Sequence, residues 1–205
     1  MKVEDQPFII NDRMRLGSSY LQVLWHEVPG VVLEHESMFV TAGRQGLALN
    51  SRTVIMCISG TAVLDIFYCS GLDFRNLKTQ RWLRQCIREH ALMVAETALP
   101  ARLHWLENAN NLYCNGVNVA KLRKNVLGCC TSTGCITLSP KIVLFPQRMS
   151  DVVMLHEMAH LKYMHHRKSF WNYLSVLIGE DANSEKIKSD LAYCQRSEMI
   201  DWLMK

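Results

Sequence analysis

The chain has 205 residues, of which 49% are apolar and 20% charged, so it can bury a substantial core and is not intrinsically disordered. No run reaches ~18 uninterrupted apolar residues, which excludes a membrane-spanning helix. The net charge of +4 comes entirely from residues 101–205. This mild excess falls well short of the basic surface of a nucleic-acid-binding domain, although it does not exclude a nucleic-acid partner.

The cysteines and the N-terminus indicate a reducing compartment. Eight cysteines occur without a secretory signal, because acidic residues precede the first apolar run of MKVEDQPFII. We therefore expect a cytoplasmic protein with free, mostly buried thiols. Cys129, Cys130 and Cys135 cluster in LGCCTSTGC, but no CxxC pair accompanies them, so a redox or zinc–thiolate role is the weaker interpretation.

Residues 19–74 predict a β-rich region. Three segments are rich in β-branched and aromatic residues and are separated by glycines: SYLQVLWHEV, GVVLEHESMFVTAG and TVIMCISGTAVLDIFYC. From residue 63 to residue 68, the odd-numbered and the even-numbered side chains are both largely apolar, which predicts a strand buried on both faces. We expect residues 1–76 to form this β-rich N-terminal region and residues 77–205 to form a separate domain.

A helical period starts near Leu77. Apolar side chains recur there at helical spacing: Leu83, Ile87, Ala91 and Val94. Pro100 should end this helix or start the next one.

The second half of the chain predicts short strands followed by helices. The strands are expected in VNVAKL, GCITL and KIVLF. A mostly buried helix then covers DVVMLHEMAHLKYMHH, with Ser150 as its N-cap and Asp151 at its positive end. A final helix should start near Asn183-Ser184 and continue as far as Leu203.

The buried helix contains His156-Glu157-Met158-Ala159-His160, an HExxH motif. Residues four apart on an α-helix lie one above the other, so His156 and His160 can bind one metal ion through their ring nitrogens. Glu157 lies on a neighbouring side of the helix, where it can reach a metal-bound water as a general base. Because these polar residues would be costly to bury without a partner, the motif predicts a metal site.

A catalytic zinc ion needs a third protein ligand and one open position. His165 and His166 are the nearby candidates, but neither shares the face of the first two histidines if the helix continues. The chain must therefore leave the helix between Leu161 and His165. The glycine turn of HExxHxxGxxH proteases is not expected, since Tyr163 occupies the position of the glycine. Two downstream carboxylates are further candidates: Glu180 and Glu185.

HEMAHLKYMHHRKSFW resembles the signature of the YgjP-like metallopeptidases, in which HELxHL precedes an Asn-His-Ser-x-x-Phe-Trp segment. The resemblance places His166 on the third ligand of the family, and Phe170 and Trp171 on its Phe-Trp pair. Upstream, LGCCTSTGCITLSPKIVLFPQRMSDVVMLHEMAH follows the family's Trp-Gly-Ser-Cys segment, short strands and Val-Val-x-HELxH. The chain departs from the family's basic residue, Trp and Ser at three positions: Val126, Leu127 and Cys129.

This resemblance implies an α+β, zincin-like fold, with a small β-sheet over an active-site helix and a backing helix behind it. It also implies a zinc-dependent metallopeptidase, in which His156, His160 and His166 bind Zn²⁺ and Glu157 is the general base for a metal-activated water. A peptide or protein substrate would pair with an edge strand supplied by GCITL or KIVLF. Trp171 would pack against the turn that carries His166.

The sequence also supports two alternative functions. One is a metal-dependent nucleotide hydrolase, because a zinc-activated water attacks phosphoanhydrides as well as amides, and nucleotide hydrolysis has been proposed within the family. The other is a binding domain with a structural zinc, closed by a fourth ligand such as His165. Tyr163 and Tyr173 are candidates for stabilising an oxyanion, although both are better explained as core residues. Four histidines without ligand spacing are expected to be ordinary surface or packed residues: His26, His35, His90 and His104.

Overall fold

The computed structural model describes residues 8–16, 18–28, 44–49, 52–59 and 62–204. They fall into two compact units, one within Met1–Leu16, Leu21–Ala91 and Leu203–Lys205, the other within Gly17–Tyr20 and Leu92–Trp202. None of the helices in these ranges has the length and apolar character needed to cross a bilayer. The segment GVVLEHESMFVTAG, with His35, lies outside the described residues, and the predicted boundary at residue 77 and the cytoplasmic location stay predictions.

The first unit contains a four-stranded sheet in the order β1-β4-β3-β2. β1 (Gln22–Val28) is parallel to β4 (Val63–Cys69). β3 (Arg52–Ser59) is antiparallel both to β4 and to β2 (Arg44–Leu49). The described part of the N-terminal region is therefore β-rich, as its composition predicts.

β4 is buried on one face only, so the expectation of a strand buried on both faces is wrong. Its buried side chains alternate along the strand: Leu64, Ile66 and Tyr68. The opposite face stays partly exposed because Asp65 lies on it. Asp65 Oδ1 is 2.8 Å from Nε2 of His26, whose ring stacks on Phe67. A half-exposed ion pair of this kind keeps that face in contact with solvent.

One helix, α1 (Leu77–Asn110), runs through Pro100, so the predicted break at the proline is wrong. Proline within a helix removes one backbone donor and costs ~3 kcal/mol. Leu99 and Leu103, on either side, are 0% and 1% exposed. Burying a leucine side chain contributes ~1.5–3 kcal/mol, so the two together offset the proline. The predicted apolar stripe is present, since Leu83, Ile87, Ala91 and Val94 are all buried.

His90 lies on the buried face of α1 with 2% of its surface exposed. Neither ring nitrogen has a hydrogen-bond partner among the described residues. Burial lowers the pKa of this ring below its usual 6.5, because a charged imidazolium is poorly solvated there. The folded protein therefore holds His90 in the neutral form with both of its polar atoms unsatisfied.

We expect His90→Leu to raise the free energy of unfolding by ~1–3 kcal/mol at pH 7, because it removes unsatisfied buried polar atoms. The unfolded chain binds a proton at His90 near pH 6.5 and the folded chain does not. The wild type should therefore lose stability as pH falls below about 6.5, and the variant should lose less. Urea unfolding at pH 7.5, 6.5 and 5.5 measures both effects. Equal pH dependence of the two proteins would contradict this assignment.

The second unit contains a three-stranded sheet in the order β5-β7-β6. β7 (Cys135–Leu138) is central, parallel to β5 (Gly116–Val119) and antiparallel to β6 (Gly128–Cys130). GCITL is thus a strand with partners on both sides, and the prediction that it supplies the substrate-binding edge is wrong. β6 is the edge strand nearest to the HExxH helix.

KIVLF is not a strand, because Pro140–Leu144 form a 3-10 helix. Pro140 stands at its start, where a fixed φ and a missing N–H are tolerated, whereas a strand would need that donor for its ladder. Ile142, Val143 and Leu144 are all buried, which explains why this run is apolar without the alternation of a half-exposed strand.

The HExxH helix, α2 (Gln147–Ala159), starts directly after Pro146, so the assignment of Ser150 as its N-cap is wrong. Ser150 lies inside the helix and donates a hydrogen bond from Oγ to the carbonyl of Ile142. Asp151 does not serve the helix end, because its carboxylate accepts two hydrogen bonds from Arg102 on α1, at 2.8 and 2.7 Å. The C-terminal half of α1 thus backs α2.

Three helices follow α2. α3 spans Lys168–Ile178. α4 spans Glu185–Gln195 and begins at Ser184, whose Oγ accepts a hydrogen bond from Ile187 N, as predicted. The chain then breaks before α5 (Glu198–Leu203), so the predicted final helix is two helices. A small sheet beside the HExxH helix, backed by α1, confirms the α+β, zincin-like fold.

Candidate active site

Three histidines converge beside the C-terminal end of α2. Each of His156, His160 and His166 offers one ring nitrogen, and these nitrogens all lie within 4.8 Å of one another. The ring centroids are 4.7–5.0 Å apart. The structure therefore brings together the three side chains that the sequence singled out as metal ligands.

The third histidine reaches the other two because the helix ends early. α2 stops at Ala159, and His160 is its C-cap, so the chain leaves the helix before His165, as expected. The turn is not a left-handed one at Tyr163, since the only described non-glycine residues with positive φ are Asn111 and Asn125. The carbonyl of Tyr163 instead points back and accepts a hydrogen bond from His160 Nδ1, at 2.9 Å.

That hydrogen bond fixes the tautomer of His160. Because Nδ1 carries the proton, Nε2 presents a lone pair, and metal-binding histidines commonly have this arrangement with a backbone carbonyl. His156 Nε2 and His166 Nε2 face each other at 3.0 Å. Two lone pairs at this distance repel, so a proton or a cation must lie between them.

The chemistry of these donors fits zinc. Nitrogens bound at ~2.0–2.1 Å to one tetrahedral ion lie about 3.3 Å apart, close to the observed 3.0 Å. Burial, followed by the neighbouring rings of His160 and His166, lowers the pKa of His156 to about 3. The pKa of His166 is also lowered, first by burial. Both rings are thus neutral at physiological pH and can donate lone pairs to a metal.

Phe170 and Trp171 hold the histidine rings in place. Phe170 is fully buried, and its ring contacts all three imidazoles with centroid distances of 4.7–4.9 Å. Trp171 donates a hydrogen bond from Nε1 to the carbonyl of His166, at 2.9 Å. The Phe-Trp pair therefore orients the three histidine rings, in agreement with the expected packing of Trp171 against this turn.

We expect Trp171→Phe to weaken zinc binding by about tenfold, because the ring remains but the hydrogen bond to the backbone of His166 is lost. Competition with a chromophoric chelator measures the affinity. Trp105→Phe is the matched control, since Trp105 lies 55% exposed on α1 and contacts Arg102 rather than the histidines. Equal affinities of the two variants would show that the Nε1 hydrogen bond does not support the site.

Glu157 is buried next to the ligand set, with 6% of its surface exposed. Burial raises the pKa of its carboxyl to about 7, so this group can both accept and release a proton near neutral pH. Gly128 of β6 makes room for it. A Cβ at Gly128 would lie 2.6 Å from Cγ and 2.9 Å from Oε1 of Glu157, which is too close for any atom pair of this kind. The sequence resemblance included Gly128 in the family's pattern but did not place it against Glu157.

A cavity of about 350 Å³ borders Glu157 and His156. Residues Asn125–Gly128 form one wall, and Val126 and Leu127 within it replace the family's basic residue and Trp. Lys188, Leu191 and Ala192 of α4 also line the cavity. The sequence gives no local signal for α4 in this position, because tertiary packing alone brings it there.

The other candidate ligands lie outside the histidine cluster. Glu180 binds Arg148 at 2.6 Å, and Glu185 is the first residue of α4. His165 contributes no nitrogen to the cluster. Tyr163 and Tyr173 contact each other with ring centroids 5.7 Å apart, but both are half-buried, so the interpretation of them as core residues is wrong.

The cysteines form no metal group among the residues that the structure describes. The structure describes the side chains of seven cysteines, none of them in a disulfide, and only Cys86 and Cys194 are buried, so the expectation of mostly buried thiols is wrong. Burial, and then the carboxylate of Glu157, raise the pKa of Cys130 to about 11, which keeps it a neutral thiol. This argues against a reactive thiolate at Cys130.

Two of three comparisons with known proteins find a similar structure or family. A search of curated proteins finds no match. The crystal structure of the metallopeptidase zymogen of Pyrococcus abyssi abylysin is similar with a TM-score of 0.40 and 20% sequence identity, over 48% of this chain and 95% of that chain. The sequence model of the family "YgjP-like, metallopeptidase domain" matches residues 46–190, well over half of the chain. The chain belongs to this YgjP-like family of metallopeptidases.

Proposed function

We propose that the protein is a zinc-dependent peptidase that cleaves peptide bonds with a metal-activated water. His156, His160 and His166 would hold the ion, and Glu157 would be the general base. The observation that carries the proposal is the convergence of three imidazole nitrogens within 4.8 Å beside a buried glutamate whose pKa is about 7. Family membership supplies the reaction class.

Bound zinc would supply a Lewis acid that polarises the substrate carbonyl and makes water more acidic. Glu157 would take a proton from the attacking water at its carboxylate oxygens and return it to the departing amine. A pKa of about 7 suits both transfers near neutral pH. Gly128 would help to keep the carboxylate in this position, since a Cβ there would overlap the Glu157 side chain.

The cleft supports a peptide substrate. Its wall, Asn125–Gly128, leads into the edge strand β6, whose one described partner is β7. An extended peptide can pair with the backbone of such an edge, while its side chains enter adjoining pockets. The cavity beside Glu157 would serve as one of these pockets.

A catalytic role is better supported than a structural one. Structural zinc sites have four protein ligands, whereas the described part of the chain brings three together here, which would leave an open position for water or substrate. His165 is directed elsewhere, with its Nδ1 accepting a hydrogen bond from Arg167 N at 3.3 Å.

The test is a substrate panel on the zinc-loaded full chain, with casein, internally quenched peptides and nucleoside triphosphates. We expect cleavage of peptides, loss of cleavage with a chelator, and recovery on adding zinc back. Hydrolysis of the triphosphates alone would replace the proposal with a nucleotide hydrolase. A protein that binds zinc but leaves every substrate intact would favour the structural role.

A further inference from the structure

The cavity beside Glu157 has the size and lining of a pocket for one substrate side chain. Its volume of about 350 Å³ lies within the range of small-ligand pockets, ~300–1,000 Å³. Six of its lining side chains are apolar: Val126, Leu127, Val153, Trp171, Leu191 and Ala192. The cavity therefore favours a substrate side chain with an apolar stem.

Among the residues that the structure describes, Lys188 is the one Lys or Arg that lines this cavity. It lies exposed on α4, and its ammonium forms no ion pair with any residue in the described ranges. Arg148 and Lys141, by contrast, are paired with Glu180 and Asp201. A lysine without a carboxylate partner, at the side of an apolar pocket, can bind an anionic group of a ligand.

The surrounding chain is also depleted of acids. Residues 111–179 contain eight Lys or Arg but only two Asp or Glu. One of the two acids, Asp151, is bound to Arg102, and the other is the general base Glu157. Three exposed basic residues stand just before the cavity wall that starts at Asn125: Lys121, Arg123 and Lys124. α4 itself carries Glu185 and Asp190, of which Asp190 pairs with Arg148 at 3.5 Å. The basic residues next to the cavity wall in sequence would favour an anionic ligand over a cationic one.

We propose that the substrates are acidic peptides, and that the cavity beside Glu157 receives a glutamate side chain whose carboxylate pairs with Lys188. This inference rests on the peptidase function proposed above. Glutamate fits better than aspartate, because its longer methylene stem can contact the apolar walls while the carboxylate reaches the ammonium. Lys188 is then a specificity-determining residue rather than a catalytic one.

Binding can be measured without turnover, using the zinc-loaded Glu157→Gln full chain and labelled peptides in fluorescence anisotropy. In each peptide one glutamate is moved through an otherwise neutral sequence, and matched peptides carry Gln or Lys there. We expect one position at which Glu binds about fivefold more tightly than Gln, as for a solvent-accessible ion pair. This preference should shrink in high salt.

Lys188→Glu should abolish that preference and favour the Lys peptide. Lys186→Glu is the matched control, because it makes the same charge change on the same helix without lining the cavity. The inference is overturned if Glu and Gln peptides bind equally at every position, or if Lys186→Glu alters selectivity as much as Lys188→Glu.

The two proposals can fail separately. If the wild type cleaves neutral peptides as well as acidic ones, with equal binding, the peptidase function stands and the acidic specificity is wrong. If acidic peptides bind with the Lys188-dependent preference but none is cleaved, the specificity stands and the peptidase function is wrong. Nucleoside triphosphates that bind far more tightly than every peptide, and lose that affinity in Lys188→Glu, would assign the pocket to nucleotides and overturn the inference.

Discussion

Glu157→Gln should lower kcat for peptide cleavage by about 10²–10⁴-fold while leaving zinc content at one ion per chain. The amide keeps the shape of the side chain but cannot accept a proton from water. Because Glu157 is buried and its pKa is about 7, the neutral amide also resembles the protonated form that the folded protein tolerates. Stability should therefore stay the same or rise.

Measurement of zinc by mass spectrometry, together with kcat and the melting temperature, separates the possible outcomes. Unchanged turnover in Glu157→Gln would exclude this residue as the general base. Loss of zinc together with turnover would make Glu157 a part of the metal site instead.

Gly128→Ala should also lower turnover strongly, by about 100-fold, because the added methyl group must displace the Glu157 side chain. The Cβ would lie 2.6 Å from Cγ and 2.9 Å from Oε1 of Glu157, so we expect the carboxylate to shift from its present position. Zinc content should be retained, since the three nearest atoms that the methyl group would meet all belong to Glu157.

Gly116→Ala on β5 is the matched control. A Cβ there would meet only Cys135 Sγ, at an ordinary 3.8 Å, and both substitutions place alanine in the same sheet. We expect near-normal kcat for Gly116→Ala. A similar loss of activity in both variants would indicate general damage to the sheet, and full activity of Gly128→Ala would show that the glutamate does not need this space.

Local patterns in the sequence predict the centre of the site well. The HExxH spacing places two imidazoles on one side of α2, and the argument that His166 needs a break in the helix agrees with the end of α2 at Ala159. These inferences depend on helix geometry over a few residues. The metal itself and the roles of the ligands stay predictions.

The sequence fails where tertiary packing competes with local preference. Pro100 does not end α1, because the buried leucines around it stabilise the continuous helix. KIVLF is apolar enough for a strand but lies largely in the 3-10 helix that starts at Pro140. Ser150 has the composition of an N-cap, yet it hydrogen-bonds to Ile142 from within the helix. Burial in the core accounts for the continuous α1, whereas the other two outcomes depend on nearby residues, Pro140 and Ile142.

The part of the cleft wall that α4 supplies is the part that the sequence predicts least. Lys188 is 28 residues beyond His160, on a helix with no motif, and only the folded chain brings it to the cavity beside Glu157. The position of Gly128 against Glu157 could not be predicted either, because the need for glycine arises from a side chain on another element, α2.

Zinc content and X-ray absorption on the purified chain, with His166→Ala and His165→Ala beside it, test the three-histidine site most directly. We expect one zinc per wild-type chain with three imidazole nitrogens bound, the same in His165→Ala, and loss of most zinc in His166→Ala. Retention of zinc in His166→Ala together with its loss in His165→Ala, or a site closed by a sulfur ligand, would contradict the assignment.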